Sequence, residues 1–137
     1  MKKVLWTGLI AGVAMIIVNI LLNPIFNALF PWLQDAYMDN AVFRPWSDPA
    51  MMLFWLYPLA LGLALAWVWD KTKQLFDGTV WCKGAKFGLI LFFVSGVPAF
   101  LINFSSFNLP FVMILSWTIM GLINGIVAGL ILAKVNK

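Results

Sequence analysis

Residues 109–133 read LPFVMILSWTIMGLINGIVAGLILA, without one charged side chain. A helix rises 1.5 Å per residue and a bilayer's hydrocarbon core is about 30 Å thick, so about 20 apolar residues suffice to cross it. This stretch is long enough. Within it Gly121, Gly125 and Gly129 recur every four residues and share one helical stripe, and Asn124 lies near its middle. Small residues at that spacing let helix backbones approach closely in lipid, where association depends on packing and not on the hydrophobic effect.

Three more stretches meet the length criterion: about 4–22, 50–69 and 85–103. None of the four contains Asp, Glu, Arg or His. The chain as a whole is 64% hydrophobic and 10% charged, against about 45–50% and about 25% for a soluble domain. A soluble fold of 137 residues could not hide so much apolar surface. The expected fold is therefore all-α: one polytopic membrane domain over 1–137, built as an antiparallel four-transmembrane-helix bundle. Met1-Lys2-Lys3 and the apolar run behind it imitate a signal peptide. The run is longer than a usual signal core and no small-x-small site follows it, so it is read as a retained first helix.

Basic residues near helix ends stay cytoplasmic. Lys2, Lys3, Lys71, Lys73, Lys83, Lys86, Lys134 and Lys137 fall on one side of the four spans, and only Arg44, the last of nine basic residues, falls on the other. That distribution predicts a multi-pass protein of the inner or plasma membrane with both termini cytoplasmic. Trp6, Trp67, Trp69 and Trp81 are expected to anchor the inner boundary, and Trp32, Tyr37 and Trp46 the outer one, because amphipathic rings favour the interface.

The outer connection, 23–49, is half apolar. Phe26, Leu29, Phe30, Leu33 and Tyr37 recur at spacings of three and four, which predicts an extra interfacial helical segment, lying on the membrane or extending the first helix. Ser47 or Asp48 can cap the second span. The inner connection carries the turn signal Asp77-Gly78. The short outer turn 103–110 offers Ser106 or Asn108 as a cap for the fourth span, with Pro110 in its first turn.

Glycine faces on the other spans are Gly8 with Gly12 and Gly84 with Gly88. Pro58 and Pro98 are expected to kink the second and third spans, each removing a backbone donor. An unpaired amide in hydrocarbon is costly, so Asn19 and Asn124 should face the bundle interior. With Ser95, Asn103, Ser105 and Ser106 they form a candidate polar path. Gly8-Leu9-Ile10 and Gly88-Leu89-Ile90 open alternate spans, a likeness of three residues that an apolar composition supplies by chance.

Catalysis and metal chemistry find little material. The chain has no histidine and one cysteine, and all five acids are aspartates, so neither a metal set nor a histidine-assisted nucleophile can be assembled. No catalytic, cofactor-binding or metal residues are expected, and no enzyme activity. A formal charge of +4 suggests anionic lipid headgroups and not nucleic acid, because the lysines punctuate apolar segments and form no basic face with stacking aromatics. Partners are expected to be membrane lipids, and a second copy or another membrane protein is a candidate.

Trp69-Asp70-Lys71, Gly84-Ala85-Lys86-Phe87-Gly88-Leu89 and Gly121-Leu122-Ile123-Asn124-Gly125 give the chain a resemblance to small four-span membrane proteins of bacteria and archaea. The resemblance spans the last three helices and implies a fold but no activity. Two readings of function remain from sequence: a structural, accessory or regulatory bundle, or a channel or transporter for a small solute or ion.

Overall fold

The computed structural model describes residues 2–39 and 41–137. Its described residues are helical throughout apart from short connections. Helix α1 spans Lys2–Leu29, α2 Leu33–Tyr37, α3 Met52–Thr72, α4 Val80–Leu91, α5 Val97–Ser106 and α6 Phe111–Val135. A single π-type turn, Phe92–Gly96, joins α4 to α5. Among the described residues four helical units are long and apolar enough to cross a membrane: Lys2–Leu29, Pro49–Leu75, Val80–Ser106 and Phe111–Val135.

The first helix runs past Leu22 and through Pro24 to Leu29. Residues 23–29 therefore extend it, and only Leu33–Tyr37 forms a separate short helix. Pro31 sets that break, since a proline at the end of a helix cannot donate to continue it. The second span starts where Asp48 Oδ1 accepts the Ala50 N–H at 2.8 Å, with Pro49 in the first turn. Thr79 caps α4 by accepting the Cys82 N–H at 3.3 Å. Gly78, at φ +109°, makes the preceding turn; a side chain there would be strained.

The fourth span begins differently from expectation. Pro110 itself occupies the cap position, and no side chain satisfies the first turn. Its extended ψ of 133° aims the Pro110 carbonyl at the Met113 N–H, 2.9 Å away, so neither Ser106 nor Asn108 is needed there.

Glycines bring the long helices together in two pairs. In the first, a Cβ on Gly8 would lie 2.8 Å from Leu63 Cα and one on Gly12 2.8 Å from Leu59 Cα. In the second, Gly84 stands in the same relation to Leu130 Cα and Gly88 to Ile126 Cα, both at 2.6 Å. Numbers rise on one member of each pair as they fall on the other. Both pairs also place a partner carbonyl beneath each glycine: Gly62 O and Pro58 O in the first, Gly129 O and Gly125 O in the second. The likeness between the two hairpins is thus one of packing, carried by glycine register and not by the three shared residues. Packing of α1 on α6 joins the pairs.

One end of this assembly is solid. Trp69, Phe76 and Phe87 cluster there with Met15, Leu65, Ala128 and Leu132, with the Trp69 ring stacked on Phe76 at 5.5 Å and edge-on to Phe87 at 5.2 Å. Trp69 Nε1 donates to the Asn136 carbonyl at 2.8 Å. Asn136 in turn donates to Asp70 at 3.1 Å and accepts from Lys73 at 3.0 Å. Trp69 is 1% exposed, whereas Trp6, Trp67 and Trp81 are exposed. It is a core residue and not the interface anchor expected from sequence, because its N–H finds a partner inside the protein.

Candidate functional site

The other end is divided. Beyond the π turn no residue of α5 is buried, and the first turns of α3, Met52 to Tyr57, are exposed. Between them lies a cleft of about 310 Å³. Tyr57, Leu61 and Leu65 of α3 form one wall and Phe92, Ser95, Phe100 and Asn103 form the other. Its floor is α6, through Trp117, Thr118, Gly121, Asn124 and Gly125.

The third span explains the opening. In the π turn the Val97 N–H reaches back five residues to the Phe92 carbonyl, which inserts one extra residue and re-aims the helix. Ser95 Oγ donates to the Leu91 carbonyl at 2.7 Å. Pro98 follows at once; having no N–H, it cannot continue the backbone ladder, and the register changes just before it. The kink expected at Pro98 is therefore a π turn just before it. Pro58 lies buried inside a continuous α3, with its carbonyl beneath Gly12.

Glycines on the floor complete the opening. A Cβ on Gly129 would collide with the Gly84 carbonyl; one on Gly125 would stand 3.3 Å from the Gly88 carbonyl; one on Gly121 would meet nothing within 4 Å. Along one stripe the neighbouring helix thus moves from contact to absence.

Of the residues in the polar path, Ser95, Asn103 and Asn124 line the cleft. Asn19 joins them from α1 by accepting the Asn124 Nδ2–H at 2.9 Å. Asn124 Oδ1 is buried without a partner among the described residues. Ser105 and Ser106 are not part of the site: they are exposed at the end of α5, and Ser105 Oγ donates to the Ile102 carbonyl at 3.1 Å. Sequence reading missed Tyr57, which looks like an ordinary interfacial aromatic, and treated Gly121 as a packing residue. Only the path of the third span reveals their place.

The connection between α1 and α3 covers the rim on the α6 side. Trp117 Nε1 donates to the Tyr37 hydroxyl, and Phe43 meets the Trp117 ring edge-on at 6.3 Å. Burial raises the Tyr37 hydroxyl above its ordinary pKa, partly opposed by the neighbouring Trp117 and Ser116 side chains. Asp48 titrates below the usual carboxylate range because it accepts the Ala50 N–H and then the Arg44 guanidinium. Among the described residues no three His, Cys, Asp or Glu side chains gather as a metal set. The site's chemistry is hydrogen bonding by uncharged amides and hydroxyls against an apolar wall. No protein-family model, curated protein or solved structure matches this chain.

Proposed function

We propose that the chain is a multi-pass protein of the inner or plasma membrane, an antiparallel four-helix bundle with both termini cytoplasmic. Its role is structural, accessory or regulatory, and it is not an enzyme. Hydrocarbon thickness and the eight-to-one division of basic residues support the placement. Arg44→Cys and Lys73→Cys in a Cys82→Ser background test it with an impermeant maleimide. Position 44 should label on intact cells and position 73 only after permeabilisation; the reverse pattern would overturn the orientation.

One observation carries the role: the cleft ends blind. Below Asn124 and Gly125 the bundle is filled by glycine contacts between α4 and α6 and then by the Trp69, Phe76 and Phe87 cluster. Such a shape can seat a second copy, or a helix of another membrane protein, in its open half. On this reading it is a seat for a helix and not a path for a solute. Reconstituted in vesicles, the protein should pass no small ion or neutral solute faster than empty vesicles do. Flux that disappears in Asn124→Leu would replace this reading with that of a channel or carrier, which the unpartnered Asn124 Oδ1 beside the cleft favours.

A further inference from the structure

A second groove, of about 420 Å³, lies along the α4 half of the third span. Leu75, Phe76 and Asp77 of the inner turn form its head, and Lys86, Leu89, Ile90 and Phe93 its length. The spacing of those last four residues puts them on one helical stripe. Read along the helix, the stripe is about 10 Å long, and it passes from a cation to an open apolar track of about 6 Å. Leu89, Ile90 and Phe93 are 42%, 51% and 67% exposed.

Lys86 does not reach down that track. Its Nζ turns back to the Asp77 carbonyl, 3.4 Å away, as an ammonium does when its stem lies in hydrocarbon and its head seeks the interface. Asp77 is also left with an uncommitted charge. Among the described residues the ion pairs are Arg44 with Asp48 and Lys73 with Asp70, and Asp77 is in neither. One cation and one carboxylate therefore stand together at the head of an apolar channel.

We infer that this groove is a binding site for a phospholipid with a primary-amine headgroup, its phosphate on Lys86, its ammonium on Asp77 and one acyl chain along Leu89, Ile90 and Phe93. Charge complementarity selects that class. A purely anionic headgroup would set its charge against Asp77, and a cationic amphiphile would set its own against Lys86. A choline headgroup has the right charges but no N–H to donate. The inference rests on the membrane placement proposed above and not on the role assigned to the cleft.

Native mass spectrometry of the detergent-purified chain tests it with phosphatidylethanolamine, phosphatidylglycerol and phosphatidylcholine of matched acyl chains. The chain should retain one phosphatidylethanolamine about tenfold more tightly than either of the others, the effect of one charge-assisted hydrogen bond. Asp77→Asn should abolish the preference over phosphatidylglycerol, and Lys86→Gln should weaken both lipids. Both substitutions are at exposed positions, and an unchanged circular dichroism spectrum verifies the fold. Equal retention of all three lipids would overturn the assignment, as would selectivity unchanged in both variants. So would a groove occupied by a second copy, seen as a dimer that Lys86→Gln disperses without altering lipid preference. Vesicle flux would overturn the role proposed for the cleft and leave this result intact.

Discussion

The closed and open halves of this bundle use the same helices and the same apolar alphabet, yet one is held by backbone contact and the other is held apart. In the closed half, Gly84 and Gly88 lie against the Leu130 and Ile126 backbone, and Trp69 fills the space beneath. In the open half, α6 presents Gly121 to empty space, no residue of α5 is fully buried, and α5 meets α6 through Phe100 and Phe104 against Phe111. Hydrophobicity does not distinguish the halves. What does is whether the third span keeps its α-helical register, and it loses that register in the π turn at Phe92–Gly96.

The sharpest way to break this comparison is to add one methyl group at successive positions on the α6 stripe. Gly129→Ala directs its Cβ into the Gly84 carbonyl and should destabilise the protein by about 2–3 kcal/mol, the upper range for overpacking. Gly125→Ala meets Gly88 O at 3.3 Å and should cost about 1 kcal/mol or less. Gly121→Ala meets nothing within 4 Å and should stabilise by about 0.5–1 kcal/mol, since alanine is the better helix former. Unfolding in mixed detergent micelles would rank the three. Equal losses at all three positions would mean that the helices stay together along the whole stripe.

A second prediction concerns what seals the closed half. Trp69→Phe keeps an aromatic ring between Phe76 and Phe87 but removes the N–H that bonds the Asn136 carbonyl. Losing that bond in a buried site should cost about 1–3 kcal/mol in the same assay. The loss should be smaller in a chain truncated after Val135, where the acceptor is gone. If truncation leaves the cost of Trp69→Phe unchanged, the clasp between Trp69 and the last turn contributes nothing.

These experiments also mark what could be read from sequence. Span number, approximate limits and the pairing glycines are legible because lipid thickness and close helix approach act on local spacing. The amide pair Asn19 with Asn124 is legible in kind, since hydrocarbon forces polar side chains inward. The different fates of three identical glycines are not legible. Gly121, Gly125 and Gly129 have the same local pattern, and what separates them is the course of a neighbouring helix bent by an extra residue thirty positions away in the chain. Trp69 was misplaced for a similar reason: its partner, the Asn136 carbonyl, lies on another helix end. Ser105 and Ser106 join the polar path in sequence beside Asn103; on α5 they fall outside the cleft lining.

A smaller effect is expected where the two halves meet. Asn19 and Asn124 cross from α1 to α6 at 2.9 Å. A double-mutant cycle with Asn19→Ala and Asn124→Ala should give a coupling of about 0.6 kcal/mol, the average for side-chain hydrogen bonds between membrane helices. The unpartnered Asn124 Oδ1 makes the single Asn124→Ala substitution less costly than Asn19→Ala, because it removes an orphaned acceptor along with the bond. The opposite order would show that a partner outside this chain satisfies that oxygen.

The smallest effect belongs to the entry of the second span, on the open side, and it is readable only through pH. Asp48 holds the Ala50 N–H and the Arg44 guanidinium, each at 2.8 Å, and its pKa is lowered in the folded protein by those two partners, the backbone bond first. A carboxylate with a depressed folded pKa contributes stability that is present above its unfolded pKa, about 3.9. That contribution fades as pH falls below this value and through the folded pKa, because the unfolded state then binds the proton more readily. Asp48→Asn keeps an acceptor for Ala50 but cannot ionise. The variant should be slightly less stable than the parent at neutral pH, and the gap should narrow on acidification below about pH 4. A gap independent of pH would mean that Asp48 acts only as a helix cap, with no part played by its charge or by Arg44.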